Sequence, residues 1–158
     1  MALLVYGYGN PGRQDDGLGI ALVEALERRL VGAPVAGVAF ERNYQLNAED
    51  ALTISAYDAV IFADAAVTGD EPFAFRRLMP AAAIAFSTHA MAPEAVLALC
   101  AELYDRQPDA HLLTIRGHGW EPNAVFTAAA EANLAAALVF LQSRLTSPPD
   151  GANGSLTD

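Results

Sequence analysis

Hydrophobic and polar positions alternate in blocks along the chain, and the blocks switch period. Residues 2–8 (ALLVYGY) form a short apolar run closed by glycines, the pattern of a strand buried on both faces. Residues 17–30 carry Leu18, Leu22, Leu26 and Leu30 at a spacing of four, an apolar helical stripe. Glu24 and Arg28 stand one turn apart on that helix. The pattern then predicts a strand over 35–41 and a short helix over 47–55. Asn47 serves there as cap, with Glu49 and Asp50 in the first turn. A third strand is expected over 58–63 (DAVIFA), and a turn at Thr68-Gly69-Asp70 leads to one near 73–78. Residues 82–87 read as a further strand. Pro93 opens a helix running to Tyr104, with Val96, Cys100 and Leu103 on one face. A late strand over 111–116 and a last helix over 124–145 complete the series.

This β-α-β-α-β order predicts an α/β fold: a single three-layer domain, a mostly parallel twisted sheet with helices on both faces. Residues 1–146 make up the domain. Residues 147–158 (SPPDGANGSLTD) are polar and rich in Pro and Gly, and are expected to form a disordered tail. No repeat or linker divides the chain. The longest apolar stretch, Ala124 to Leu141, is alanine-rich and interrupted by Thr127, Glu131 and Asn133, so it reads as a helix packed on a core.

Composition narrows the function. The 158 residues carry 19 Asp+Glu against 9 Lys+Arg, for a net charge of −10. All nine cations are arginines, which excludes a Walker A loop and a Schiff-base lysine. The acidic balance argues against nucleic acid as a partner. The single Cys100 excludes an internal disulfide or a multi-cysteine zinc site. With no leader or membrane segment evident, a cytoplasmic location is expected.

In a parallel sheet, ligands meet the carboxyl ends of the strands, so reactive side chains at strand ends are the candidates. Gly7-Tyr8-Gly9-Asn10-Pro11-Gly12 matches GxGxxG, with Glu41 at the end of the second strand. A dinucleotide site needs its helix to begin within the glycines. Here the stretch from Pro11 to Asp16 delays it, and Asp15 and Asp16 put negative charge where a pyrophosphate sits, so no nucleotide cofactor is expected. One aspartate of that pair suffices to cap the helix, which leaves the other free to face the cleft. Asp64 follows the apolar run Val60-Ile61-Phe62-Ala63, where a partly buried acid needs a partner or a metal. His89 lies on the loop before the Pro93 helix, and His118, beside Trp120, follows the last strand. Asp16, Asp64 and His89 together offer two oxygens and one imidazole, a set suited to a borderline divalent ion such as nickel or zinc. HExxH and GxSxG are absent, and Cys100 falls mid-helix, as a structural thiol does.

Val5-Tyr6-Gly7-Tyr8-Gly9-Asn10-Pro11 followed by Asp15-Asp16-Gly17-Leu18-Gly19 resembles the opening of the nickel–iron hydrogenase maturation endopeptidases. Ala63-Asp64-Ala65 and Ser87-Thr88-His89 resemble the family's second and third motifs, and the likeness runs in order from about residue 3 to 145. The resemblance implies an enzyme, a protease that removes a C-terminal extension from the immature hydrogenase large subunit after nickel insertion. It implies that Asp16, Asp64 and His89 contact the metal, and that the nickel is supplied by the precursor. Two positions depart from the pattern. Asp16 stands where the family often has Glu, and Asn43-Tyr44-Gln45-Leu46-Asn47 replaces a small glycine-containing loop expected to touch substrate. Two other readings fit the same residues: a hydrolase of another substrate with a resident ion, and a nickel-sensing chaperone that binds precursor without cutting it.

Overall fold

The first apolar run forms strand β1 (Leu3–Tyr8), and its side chains divide by period two between the two faces of a sheet. The computed structural model describes residues 1–82 and 91–147. A 3-10 turn over Gln14–Gly17 leads into helix α1 (Leu18–Leu30), with Leu18, Leu22, Leu26 and Leu30 buried as the stripe predicts. Strand β2 is Val38–Asn43, later than expected. Residue 37 is a glycine with φ +81°, whose carbonyl accepts the Leu3 N–H at 2.8 Å, so pairing with β1 starts beyond Pro34 and Val35. Helix α2 (Asp50–Ser55) is shorter than predicted. Asn47 does not cap it; instead the Asp50 carboxylate reaches back to the Asn47 N–H at 2.7 Å.

Strand β3 (Ala59–Ala66) runs past Ala63, so Asp64 lies within it and not after it. Strand β4 (Phe73–Leu78) falls where expected, as does helix α3 (Pro93–Tyr104), which Pro93 opens. The strand expected over 82–87 lies, apart from residue 82, outside the described residues. Strand β5 is Asp109–Arg116, and half-buried His111 stacks on Phe75 with ring centroids 4.8 Å apart. Helix α4 (Ala128–Thr146) begins four residues later than its apolar pattern, because Thr127 caps it by accepting the Ala130 N–H at 3.2 Å.

The five strands form one sheet in the order β2-β1-β3-β5-β4. All neighbours are parallel except β4, which pairs antiparallel with β5. Leu4, Tyr6, Val60, Phe62, Ala110 and Leu112 pack toward α2 and α3. Val5, Ile61, Ala63, Leu113 and Ile115 pack toward α1 and α4. Strands buried on both faces explain why they read as continuous apolar runs. The architecture is therefore the expected α/β sheet with helices on both sides. Among the described residues no helix is long and apolar enough to cross a membrane.

The topology positions the site. The chain leaves β1 toward β2 on one side and returns to β3 on the other. The loops after β1 and β3 therefore diverge at the carboxyl ends of these strands and leave a crevice between them.

Candidate functional site

Asp16 is delivered to this crevice by a tightly folded turn. Gly9 has φ +136°, and a Cβ there would lie 2.2 Å from the Asp16 carbonyl oxygen. The Asn10 N–H donates to Asp16 Oδ2 at 2.9 Å, and Asn10 Oδ1 accepts the Gly12 N–H at 2.9 Å. At the start of α1, a Cβ on Gly19 would lie 2.3 Å from the Ala63 carbonyl oxygen and 2.7 Å from that of Tyr8. Only a residue without a side chain lets the helix press onto the ends of both β1 and β3. That approach brings Asp16 close enough for its charge to act on Asp64.

Neither member of the Asp15-Asp16 pair caps α1, whose N-cap is Gly17 without a side-chain bond. Asp15 is wholly buried and serves two other elements of structure. Its Oδ2 accepts the His118 N–H at 2.7 Å, the Gly119 N–H at 2.9 Å and the Thr127 hydroxyl at 2.7 Å. Its Oδ1 accepts the Thr127 N–H at 3.0 Å. Burial raises the Asp15 carboxyl, but the bonds from His118, Thr127 and Gly119 outweigh it and hold the group below the usual carboxylate range. Asp15 thus ties the loop after β5 and the start of α4 to the turn after β1. The short 3-10 turn separates the roles of the pair: successive residues point about 120° apart, one inward and one toward the crevice.

Asp64 is half-buried near the end of β3. Its Oδ1 accepts the Ala65 N–H at 2.8 Å. Burial pushes the Asp64 carboxyl up most. The Ala65 N–H pulls it down, the Asp16 charge raises it again and Tyr8 opposes, leaving it at about 7. Two carboxylates with one strongly disfavoured as an anion form an arrangement that a divalent cation relieves, and their hard oxygens are donors such a cation accepts. The chemistry of these two groups therefore fits a metal-contacting role.

His89 lies outside the described residues. Among the described residues no cluster of three His, Cys, Asp or Glu side chains is present. His118 is exposed and engaged: its ring pairs with Glu71, which also accepts the Asn133 amide at 3.3 Å. Cys100 is buried in α3. The GxGxxG glycines do not open a helix, since α1 begins only at Leu18, and Glu41 lies within β2. In the loop after β2, Leu46 is buried and its carbonyl accepts the Met91 N–H at 3.2 Å, while Tyr44 is exposed.

Sequence reasoning missed Tyr8 and Thr127. The signal for the first was present: Leu4, Tyr6 and Tyr8 share one strand face, and a phenol among apolar neighbours needs a polar partner. Tyr6 finds Asp50 at 2.7 Å, and Tyr8 lies near enough to Asp64 for that charge to add to burial in raising its hydroxyl. Thr127 carried no such signal, because its partner Asp15 is distant in sequence.

No family model matches this sequence, and no match was found among curated proteins. Solved structures do match. A nickel–iron hydrogenase maturation protease, HycI, from Thermococcus kodakarensis superposes with a TM-score of 0.70 at 22% identity, over 92% of this chain and 93% of that one. The hydrogenase maturating endopeptidase HybD from Escherichia coli gives 0.69 at 22% identity, over 92% of each chain. A further Escherichia coli endopeptidase gives 0.65 at 24% identity, over 91% and 93%. The five-stranded sheet is thus the fold of the hydrogenase maturation proteases over nearly the whole chain.

Proposed function

We propose that this protein is an endopeptidase that removes the C-terminal extension of an immature nickel–iron hydrogenase large subunit after nickel insertion. The observation that supports the reading is a fold shared with maturation proteases, in which Asp16 and Asp64 follow or end neighbouring strands at the switch point. The nickel belongs to the precursor and is part of the substrate. Asp16 and Asp64 supply carboxylate oxygens to it, and His89 supplies the nitrogen. A divalent ion so held polarises a carbonyl or activates a water. The residues of this chain do the rest: Asn10 orients Asp16, Ala65 orients Asp64, and Asp15 fixes the loops that border the crevice. The net charge of −10 favours approach of a basic precursor segment. The protein acts in the cytoplasm.

The test is cleavage of purified precursor by the full chain, with and without nickel loaded into the precursor. The reading expects trimming of the nickel-loaded form only. Tight binding without trimming would favour a nickel-sensing chaperone, and hydrolysis of unrelated peptides with added metal would favour a hydrolase with a resident ion.

A further inference from the structure

We propose that His118 is a substrate-contacting residue whose ring Nδ1 accepts a backbone N–H of the precursor at the edge of the crevice. This rests on the reading above. Both neighbours of His118 are bonded to the segments that carry the two acids. The Gly117 N–H donates at 2.9 Å to the carbonyl of Ala66, which follows Asp64 and Ala65 at the end of β3. The Gly119 carbonyl accepts at 3.0 Å the N–H of Asp15, which precedes Asp16. His118 therefore lies between the turn after β1 and the end of β3, where a bound peptide has to pass.

The ring is exposed, yet it is held from two sides. The His118 N–H is fixed on wholly buried Asp15 at 2.7 Å. Its Nε2 pairs with Glu71. Glu71 in turn accepts the side-chain amide of Asn133 at 3.3 Å, and that buried residue also donates to the Arg116 carbonyl at 2.9 Å. A carboxylate only accepts, so Nε2 carries the proton and Nδ1 of the neutral ring is left as an acceptor. Nδ1 makes no bond among the described residues. The loops are already joined by backbone bonds, Gly117 to Ala66 and Arg116 to Pro72 at 3.2 Å, so the imidazole is not needed to close them. An exposed ring fixed in advance by buried polar groups loses little freedom when it meets a ligand. An extended peptide offers a backbone N–H at every residue other than proline, and a neutral acceptor takes it whatever the side chain.

The experiment measures kcat and KM for trimming of nickel-loaded precursor by the full-length protein, with thermal unfolding alongside. In His118→Gln the amide keeps a donor for Glu71 but supplies no acceptor at the Nδ1 position. His118→Ala removes both. Both variants are expected to raise KM roughly three- to tenfold with kcat within about twofold of the parent, as for one neutral hydrogen bond made equally in the ground and transition states. His118→Gln is expected to melt within about 2 °C of the parent. Parental KM in His118→Gln would overturn the inference, because the ring would then serve only to hold Glu71. A lower kcat at parental KM would overturn it as well, since the ring would act in the chemical step and not in binding. A lower melting temperature in His118→Gln would overturn it by making the residue structural. A parent that leaves nickel-loaded precursor untrimmed would overturn the proposed function itself, and this inference with it.

Discussion

Adjacent aspartates with separate tasks give a sharp prediction: Asp15→Asn destabilises the protein and Asp16→Asn does not. Asp15 is wholly buried and accepts four hydrogen bonds, three on Oδ2 and one on Oδ1. An asparagine must turn its NH2 toward one side. In the better orientation it faces only the Thr127 N–H, leaving that donor and the new NH2 without acceptors at a cost of about 1–3 kcal/mol. The three surviving bonds fall from the charged to the neutral class, a loss of about 1 kcal/mol each. Burying an amide in place of a carboxylate returns part of this. The net expectation is a loss of about 2–4 kcal/mol, or on the order of 10 °C in melting temperature for a domain of this size. Asp16 is half-buried and accepts one backbone N–H, which an asparagine oxygen can retain, so its loss stays below about 1 kcal/mol. Urea unfolding followed by tryptophan fluorescence suits the assay. The only tryptophan, Trp120, packs beside Gly117 in the loop that Asp15 clamps. Equal losses in the two variants, or a loss below about 0.5 kcal/mol in Asp15→Asn, would refute the division of labour.

Gly19→Ala drives a methyl group against the Ala63 and Tyr8 carbonyl oxygens, so it should cost several kcal/mol or abolish soluble expression; a variant melting with the parent would show that α1 does not press on the strands. Removal of residues 147–158, which follow α4 and are polar, should leave the melting temperature within about 2 °C, an effect under about 1 kcal/mol; a larger fall in a thermal scan would move the domain boundary. NAD should not bind, because Asp16 occupies the turn where a pyrophosphate would lie and α1 starts too late to meet it; calorimetry showing micromolar affinity would contradict this.

The sheet was legible because its central strands β1, β3 and β5 are buried on both faces and its first helix carries a regular apolar stripe. Boundaries failed where a single backbone feature overrode the pattern. Gly37 delayed β2, and the Thr127 cap shortened an alanine-rich segment that looks helical from residue 124. Asp64 was found because a charged residue interrupts an apolar run, although the strand continues through it. The partners that give each acid its role were illegible, since they come from far along the chain. His118, Gly119 and Thr127 settle on Asp15 only once α4 has packed beside α1. No local rule says which of two adjacent aspartates a distant loop will claim.

On the proposed function the two carboxylates and His89 act on the precursor and do not hold the fold. The most direct measurement is cleavage of nickel-loaded precursor by the parent, Asp64→Asn and His89→Ala, with thermal unfolding of each protein alongside. The parent is expected to trim the precursor, and both variants to lose processing while melting at or above the parent's temperature. For Asp64→Asn this follows because the change removes a carboxylate that burial and the Asp16 charge disfavour. Variants that melt with the parent and cleave at its rate would contradict the site, and variants that unfold would show that these residues serve the structure instead.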